Sequence, residues 1–240
     1  MPAGRGKISV MPARNRVTPM GEIEAIPLRC AWTGNRGILH SGREIVRFHA
    51  SDLWITCALE FRGRWQEQWR PHHYTFLYFY DEAVSFAAGH RPCAECRRES
   101  YDAFRAAWAE SLGVDLPSAK AMNQQLHGER IVRGTHRRRL HQLPWVDLPD
   151  GAFVLLDTSP AVVVADQLSE WTREGYGDRR ARPTHGTADV ITPPSTVAAL
   201  RAGYPVQIDD SAFPLADLFG AAYPERTISK PLTSQAPGGV

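Results

Sequence analysis

Alternating apolar and polar positions predict β-strands in the first third of the chain. WTGNRGILHSGREIVRF (32–48) has turn residues between short apolar runs, a pattern typical of hairpins. In DLWITCALEF (52–61) successive side chains alternate between two faces, which places Cys57 on the same face as Ile55. YTFLYFY (74–80) follows as a dense aromatic strand.

The spacing of the apolar residues becomes helical after this strand. DEAVSFAA (81–88) predicts a short helix with Asp81 as its N-cap and Gly89 as its stop. Within 93–113 aromatic residues recur at helical spacing, which predicts a second helix with a core-facing stripe. A third helix is predicted over 117–127.

The last third of the chain mixes strands with a short helix. Strands are predicted over 152–157, 161–168 and 188–194. A polar loop is predicted over 169–186, and a helix over 195–204 with Ser195 as its N-cap. Strands mixed with short helices predict an α+β fold, and no GxGxxG or Walker loop favours a doubly wound sheet.

These segments divide the chain into two folded units with flanking ends. Residues 1–20 are rich in glycine, proline and basic side chains, which predicts a disordered basic arm. The turn LPDG (148–151) separates an N-terminal strand and helix domain over 21–147 from a smaller C-terminal mixed α/β unit over 148–222. The tail over 223–240 is predicted to be frayed.

The composition narrows the expected partners and compartment. The chain has 240 residues, of which 43% are hydrophobic, and a net charge of +2, so affinity for a charged partner must come from local clusters. No apolar run approaches the ~20 residues of a membrane span, and the N-terminus lacks the apolar core of a secretory signal. We therefore expect a cytoplasmic protein with no membrane partner, whose four cysteines are free thiols or metal ligands.

Two of the cysteines, Cys93 and Cys96, have the Cys-x-x-Cys spacing of a metal knuckle. Pro92 restrains the turn before them, and amide groups at the start of the following helix stabilise thiolates. The same spacing also occurs in redox pairs and in inert buried thiols, and both readings stay open. Metal binding fits a cytoplasmic chain best, with zinc as the expected cofactor.

A structural zinc site needs four ligands, so two must come from elsewhere in the chain. The remaining cysteines, Cys57 and Cys30, both lie upstream on the predicted β segment. A histidine could replace one thiol, and the nearest candidates in sequence are His40, His73 and His90. We therefore predict that zinc supports the N-terminal domain, with the ligands Cys93, Cys96, Cys57 and Cys30.

The segment FYDEAVSFAAGHRPCAECRR (79–98) resembles the second half of the zinc domain of Ada-type DNA methylphosphotriester repair proteins, which ends in an RPCxxCR knuckle. That family domain binds zinc through four cysteines, contacts the DNA backbone and accepts a methyl group on an upstream cysteine. Only Cys93 and Cys96 match by motif, and Cys57 stands alone where the family has two closely spaced cysteines. The resemblance therefore implies a shared zinc scaffold rather than a shared activity. The whole chain also resembles a bacterial family with GNRGxLH and GHRPCAECRR blocks, a resemblance that implies no particular activity.

Arginine side chains cluster in three places, which predicts contacts with phosphate. One group surrounds the knuckle and a second lies in LHGERIVRGTHRRRLHQLPW (126–145). A third is interleaved with tryptophans in GRWQEQWRPHH (63–73), a mixture suited to stacking on unpaired bases. From the first two groups we predict nucleic-acid contacts by Arg91, Arg97, Arg98, Arg133, Arg137, Arg138 and Arg139. The expected partner is DNA or RNA.

The motifs leave open whether the protein is an enzyme. No HExxH or GxSxG motif is present. Candidates for acid–base chemistry are His40 and His90, and the adjacent carboxylates Asp81 and Glu82 form a further pair. The leading hypothesis is a zinc-binding protein that binds nucleic acid, in DNA repair, modification or defence. The alternative is a zinc-supported hydrolase or nuclease acting on nucleic acid or nucleotides, and a third hypothesis is a redox or structural protein.

Overall fold

The computed structural model describes residues 12–214. Within this range helices and strands occupy largely separate segments, which confirms the predicted α+β class. The helices in this range all fall short of the length and apolarity needed to traverse a bilayer. The predicted tail over 223–240 and the first half of the predicted basic arm lie outside the described residues.

The N-terminal strands are β1 (Arg16–Val17), β2 (Ile23–Glu24), β3 (Trp32–Asn35), β4 (His40–Ser41), β5 (Glu44–Ile45), β6 (Ile55–Cys57), β7 (Leu77–Phe79) and β8 (Arg91–Pro92). Six of them form one sheet in the order β2-β1-β7-β3-β6-β8, while β4 and β5 pair as a separate hairpin. Two pairings, β1 with β7 and β6 with β8, are parallel. Strand β1 corrects the predicted disordered arm at its C-terminal end, within the part of the arm that the structure describes, because Val17 pairs with Ile23 and is buried.

The four α-helices are α1 (Glu82–Ala87), α2 (Arg98–Leu112), α3 (Ala119–Arg130) and α4 (Pro194–Arg201). The predicted ends of α1 are confirmed: Asp81 accepts a hydrogen bond from the Val84 amide at 2.7 Å, and Gly89 follows with a φ of +84°. Helix α2 begins later than predicted, because residues 93–97 form the turn that carries Cys93 and Cys96.

Side-chain and proline caps define the other helix starts. Ser118 caps α3 by accepting a hydrogen bond from the Ala121 amide at 3.2 Å. The prediction of Ser195 as the cap of α4 is wrong, because the helix already begins at Pro194. Proline suits the first helical position, since its φ is fixed near the helical value and no amide hydrogen is left without an acceptor.

The second sheet contains β9 (His141–Pro144), β10 (Phe153–Leu156), β11 (Ser159–Val164), β12 (Gln167–Thr172), β13 (Gly175–Ala181) and β14 (Thr187–Val190). Its strands are antiparallel in the order β13-β12-β11-β10-β14-β9. The single strand predicted over 161–168 is split by a turn at Ala165, whose φ is +51°. The loop predicted over 169–186 is wrong for most of its length, because β12 and β13 form a hairpin there.

Two short 3-10 segments flank this sheet, at Trp145–Asp147 and Asp210–Ala212. Strand β9 precedes the predicted domain boundary at residue 148 and pairs with β14, which follows it. The division into units at that residue stays a prediction.

Helix α1 is buried on every side and connects the two sheets. Ala83 and Val84 pack in one cluster with Phe153 of the second sheet. On its other side, Phe86 packs against Phe104 of α2, with ring centroids 5.3 Å apart. A largely apolar helix with no exposed face needs packing partners on all its sides. The turn with the two close cysteines follows directly from this buried element.

Candidate metal centre and its cavity

Three of the four cysteines come together at one end of the first sheet. Cys57 is the last residue of β6, Cys93 follows β8, and Cys96 lies in the turn before α2. Their sulfur atoms all lie within 4.8 Å of one another, so this group could hold a metal ion. It is the only group of three or more metal-ligating side chains at this spacing within residues 12–214.

Parallel pairing of β6 with β8 brings Cys57 to the knuckle. Thr56 lies opposite Pro92, and the amide of Cys93 donates to the carbonyl oxygen of Thr56 at 2.9 Å. Proline is tolerated here because β8 is the edge strand of the sheet. Cys93 therefore begins its turn directly beside the end of β6.

The turn itself is held by backbone groups around Cys93. The amide of Glu95 lies 3.5 Å from the Cys93 sulfur and donates to it, and the amide of Arg97 donates to the Cys93 carbonyl at 3.1 Å. Amides directed at sulfur favour the thiolate, the form that binds a metal. The turn thus presents both thiols of the motif to one point.

The three thiols shift one another's pKa values through hydrogen bonds. Hydrogen bonds from Cys57 and then Cys96 lower the pKa of Cys93, and the same contact with Cys93 raises the pKa of Cys57. A thiolate that accepts hydrogen bonds from two thiols marks a position where a cation can bind. A divalent ion there would take the place of the thiol protons and stabilise all three sulfurs as thiolates. The donor set therefore fits a thiophilic metal.

Cys57 lies on the open face of its strand. The predicted alternation is confirmed, since Cys57 and Ile55 are half-buried while Thr56 is fully buried. This face points to solvent, however, because Leu59 farther along is 51% exposed. On the opposite face, the Thr56 hydroxyl donates to the Ser85 hydroxyl at 2.9 Å.

A cavity of about 400 Å³ lies against the three cysteines. Its polar wall includes Asn35, Gln66 and Tyr74, and its apolar wall includes Ile55, Phe61 and Phe76. Gly34 is required at its edge, because a Cβ atom there would lie 2.1 Å from the carbonyl oxygen of Ile55. A ligand in this cavity would contact the cysteine cluster directly.

The mouth of the cavity carries a cation and an aromatic ring. Arg64 forms an ion pair with Glu95, with Nη1 and Oε1 2.6 Å apart, and both side chains are largely exposed. Trp65 is 85% exposed. Arg64 and Trp65 belong to the arginine and tryptophan segment identified in the sequence. Asn35 and Glu95 were missed as site residues, because Asn35 was assigned to a turn and Glu95 to the start of a helix.

The fourth predicted cysteine ligand does not join the cluster. The thiol of Cys30 donates to the Leu28 carbonyl at 3.7 Å, and burial raises its pKa to about 11. Cys30 lies in the connection between β2 and β3, where its thiol contacts Arg16 of β1, and it is not part of the cysteine group. The structure therefore corrects the predicted ligand set to three cysteines.

The histidine candidates are engaged elsewhere. Nδ1 of His40 lies 2.7 Å from the Thr75 hydroxyl, and Nδ1 of His73 lies 2.9 Å from the Pro71 carbonyl oxygen. His90 is fully buried and its Nε2 accepts a hydrogen bond from Arg36 at 3.3 Å. None belongs to the cysteine group within the described residues, and neither His40 nor His90 lines the cavity.

The paired carboxylates Asp81 and Glu82 are structural. Asp81 accepts hydrogen bonds from the Tyr176 hydroxyl at 2.7 Å and the Asp209 amide at 3.0 Å. Burial raises the pKa of Asp81 to about 6, while its hydrogen bonds act in the opposite direction. Glu82 pairs with Arg97. Both side chains are buried and tie α1 to other segments, so they do not form an accessible acid–base pair.

The predicted nucleic-acid arginines fall into two groups. Arg91 and Arg97 are buried: Arg91 donates to the Asn123 side chain at 2.8 Å, and the Arg97 guanidinium carbon lies 3.8 Å from the centre of the Trp32 ring. Arg138 is half-buried and donates to the Ile191 carbonyl at 2.8 Å. The exposed members are Arg98, Arg133, Arg137 and Arg139. Only the exposed arginines are accessible for the predicted contacts with nucleic acid.

No known family model, curated protein or solved structure matches this chain.

Proposed function

We propose that this protein is a zinc-binding protein that binds nucleic acid at the mouth of the cysteine-lined cavity. The observation that carries the proposal is the position of the three thiols on the wall of a cavity whose mouth holds Arg64 and Trp65. Basic and aromatic side chains beside each other are the means by which proteins bind unpaired nucleic acid.

Zinc is the metal that the donor set supports best. Three thiolates at close range from a Cys-x-x-Cys turn and a neighbouring strand match the ligand type of protein zinc sites, and their number matches zinc sites that have one open position. The resemblance of residues 79–98 to the Ada-type zinc knuckle points to the same metal. When bound, zinc held by three protein ligands supplies Lewis acidity at its remaining coordination position.

Metal analysis tests the first half of the proposal. Purified protein should contain one zinc per chain, and C57A and C93A should each lose it. The matched control is C30A, which removes a cysteine outside the cluster and should retain the metal. Absence of zinc from the wild-type protein, even after incubation with Zn²⁺, would overturn the proposal.

Nucleic-acid binding is tested with a labelled single-stranded oligonucleotide. We expect saturable binding that weakens steeply as salt is raised, because arginine–phosphate contacts release counterions. The variant R64Q should weaken binding, whereas R43Q, at an exposed arginine outside the cavity, should not. No binding at low salt would remove nucleic acid as the partner and leave the metal site as a separate result.

The number of protein ligands favours a second candidate function, a zinc-supported hydrolase or nuclease acting on nucleic acid or nucleotides. Structural zinc sites are closed by four protein ligands, whereas catalytic sites have three and a cavity beside them. Asn35, Gln66 and Tyr74 would orient a substrate in this cavity through hydrogen bonds. The measurement is product release from oligonucleotides and nucleoside phosphates by the zinc-loaded protein, with C93A as the metal-free comparison. Binding without turnover would reject this candidate and keep the first.

A further inference from the structure

Three arginine side chains lie together inside the protein, and we call Arg36, Arg130 and Arg138 the arginine cluster. The guanidinium carbons of Arg36 and Arg130 lie 4.0 and 3.8 Å from the centre of the Trp54 ring, and both side chains are fully buried. Arg138 donates to the Arg130 carbonyl oxygen at 3.2 Å. Within residues 12–214 no carboxylate pairs with any of the three.

Three neighbouring cations that form no ion pair are costly when two of the side chains are fully buried and the third is half-buried. Buried charges in proteins are normally paired, because a charge that leaves water loses several kcal/mol of hydration free energy. Burial, followed by the charge of Arg138, lowers the pKa of Arg36, and burial followed by Arg36 lowers that of Arg130. The carboxylates Glu22 and Asp52, neither of which forms an ion pair with the cluster, oppose these shifts more weakly. Both shifts have the direction expected of cations that repel one another.

Backbone oxygens satisfy only part of the cluster. Arg36 donates to the Gly21 carbonyl at 2.9 Å, and Arg130 donates to the carbonyls of Gly89 and Asp52 at 2.9 and 2.8 Å. These acceptors are neutral, so they leave the net charge unchanged. Three buried donor atoms have no acceptor: Arg36 Nη2, Arg130 Nε and Arg138 Nε.

The neighbouring histidines add donors rather than acceptors. Nε2 of His90 accepts from Arg36, so the neutral ring carries its hydrogen on Nδ1, which is buried and has no partner. Nδ1 of His127 accepts from Arg130 at 2.9 Å, so its hydrogen lies on Nε2. The groups without partners in this region are therefore donors, and a group with several acceptor oxygens would satisfy them.

Three histidines connect the cluster to the surface, and we call His49, His127 and His136 the histidine mouth. The His49 ring centroid lies 5.1 Å from that of His127 and 6.3 Å from that of His136. His49 and His127 are half-buried and His136 is exposed. His49 also contacts Trp54, with ring centroids 5.7 Å apart, so the mouth lies directly against the ring that holds the arginines.

We propose that the arginine cluster is a binding site for a phosphoryl group, which enters past the histidine mouth. A phosphoryl group brings up to two negative charges and several acceptor oxygens, which match both the excess positive charge and the donors without partners. A halide offers no directional acceptors, and a carboxylate offers a single charge. The site shares no residue with the cysteine-lined cavity, so it does not depend on the proposed metal function.

Calorimetric titration of the full chain with inorganic phosphate, at constant ionic strength set by chloride, tests the proposal. We expect saturable binding to the wild-type protein, and an affinity loss of about tenfold or more in R36Q and R130Q, because each removes charge-assisted hydrogen bonds. The matched control R43Q removes an exposed arginine and should bind as the wild type does. No saturable phosphate binding by the wild type, or equal binding by all four proteins, would overturn the proposal.

A second set of variants keeps the test decisive if the buried arginine variants do not fold. H127Q and H49Q alter the half-buried mouth and should lower phosphate affinity by several fold while the thermal unfolding midpoint stays close to that of the wild type. Unchanged affinity in both would contradict the proposal. Side-chain Nε–H signals of the arginines provide an independent readout, because phosphate should shift a small set of them and chloride should not.

Two further titrations identify the source of the phosphoryl group. A nucleoside 5′-monophosphate that binds more tightly than inorganic phosphate would indicate a small phosphate ester. An oligonucleotide that binds in competition with inorganic phosphate would indicate the nucleic-acid backbone. Both results support the site, whereas ligands that bind without competing with phosphate and without sensitivity to R36Q would argue against it.

Discussion

Arg97 and Glu82 form an ion pair inside the protein, with Nη2 of the arginine 2.6 Å from Oε1 of the glutamate. Both side chains are almost completely buried. The Tyr204 hydroxyl donates to the same oxygen at 2.8 Å, and the Gln207 amide donates to Oε2 at 3.1 Å. Glu82 thereby joins the start of α1, the start of α2 and the segment after α4.

Removal of the Glu82 charge should be strongly destabilising. E82Q leaves the Arg97 guanidinium buried without an anion, which costs about 3 kcal/mol of unfolding free energy for a pair of this kind. Urea denaturation measures the change. The control D102N breaks the exposed pair between Arg98 and Asp102 and should cost no more than about 0.5 kcal/mol. Equal effects of the two substitutions would show that burial of the pair is unimportant.

Gly34 and Gly128 should respond to alanine in opposite ways. A Cβ atom at Gly34 meets the Ile55 carbonyl oxygen, so G34A should lower the free energy of unfolding by about 3 kcal/mol and distort the cavity. Gly128 lies within α3 with no atom near its added Cβ, so G128A should stabilise the protein by up to about 1 kcal/mol. Thermal and urea unfolding of both variants test this pair, and a tolerated G34A would contradict the strand packing.

The Asp81 carboxyl predicts a pH dependence of stability. Its folded-state pKa of about 6 lies above the ordinary value of 3.8, so the folded state holds the proton more tightly than the unfolded state. The resulting stabilisation is fully present below about pH 4 and is lost as the pH rises through about 6. Its size is at most about 3 kcal/mol. The difference in unfolding free energy between wild type and D81N should therefore decrease from pH 4 to pH 7. A difference that increases over this range would have the wrong sign.

Substitution of Trp65 should change nucleic-acid binding without changing the stability of the fold. Its ring is almost wholly exposed, so W65A should change the free energy of unfolding by less than about 0.5 kcal/mol. If the proposed nucleic-acid binding is correct, oligonucleotide affinity should fall by about tenfold, which is the loss expected for one stacked base. The control L116A truncates an exposed apolar side chain away from the cavity and should preserve affinity. Fluorescence anisotropy provides the measurement.

Local signals predicted the elements that depend on neighbouring residues. The cap at Asp81 and the stop at Gly89 follow from hydrogen bonds within a few residues, so the sequence pattern contains them. The hairpin of β12 and β13 was missed because its exposed face is polar and its strands resemble a loop. Hydrophobic periodicity in a sequence reflects burial, so a strand with many exposed residues shows only a weak periodic pattern.

Long-range pairing decided which site residues meet. Cys57 was predicted correctly as a neighbour of Cys93 and Cys96, but nothing in the local pattern distinguishes it from Cys30, because only the parallel pairing of β6 with β8 selects it. Likewise, the clustering of arginines in the sequence could not show which of their side chains are buried. Arg97 turns inward because Glu82 and Trp32 provide a buried anion and a ring, and both are distant in the chain.

The parallel pairing of β6 with β8 also has a consequence for unfolding. The chain between Cys57 and Cys93 runs through β7 and α1 before it returns to the same edge of the sheet. A metal ion bound by both cysteines would act as a cross-link that closes this long loop, and a cross-link of such length restricts the unfolded chain by about 4 kcal/mol. Loss of the metal and separation of the strands would then be one cooperative event, so a chelator would act on this protein as a denaturant does.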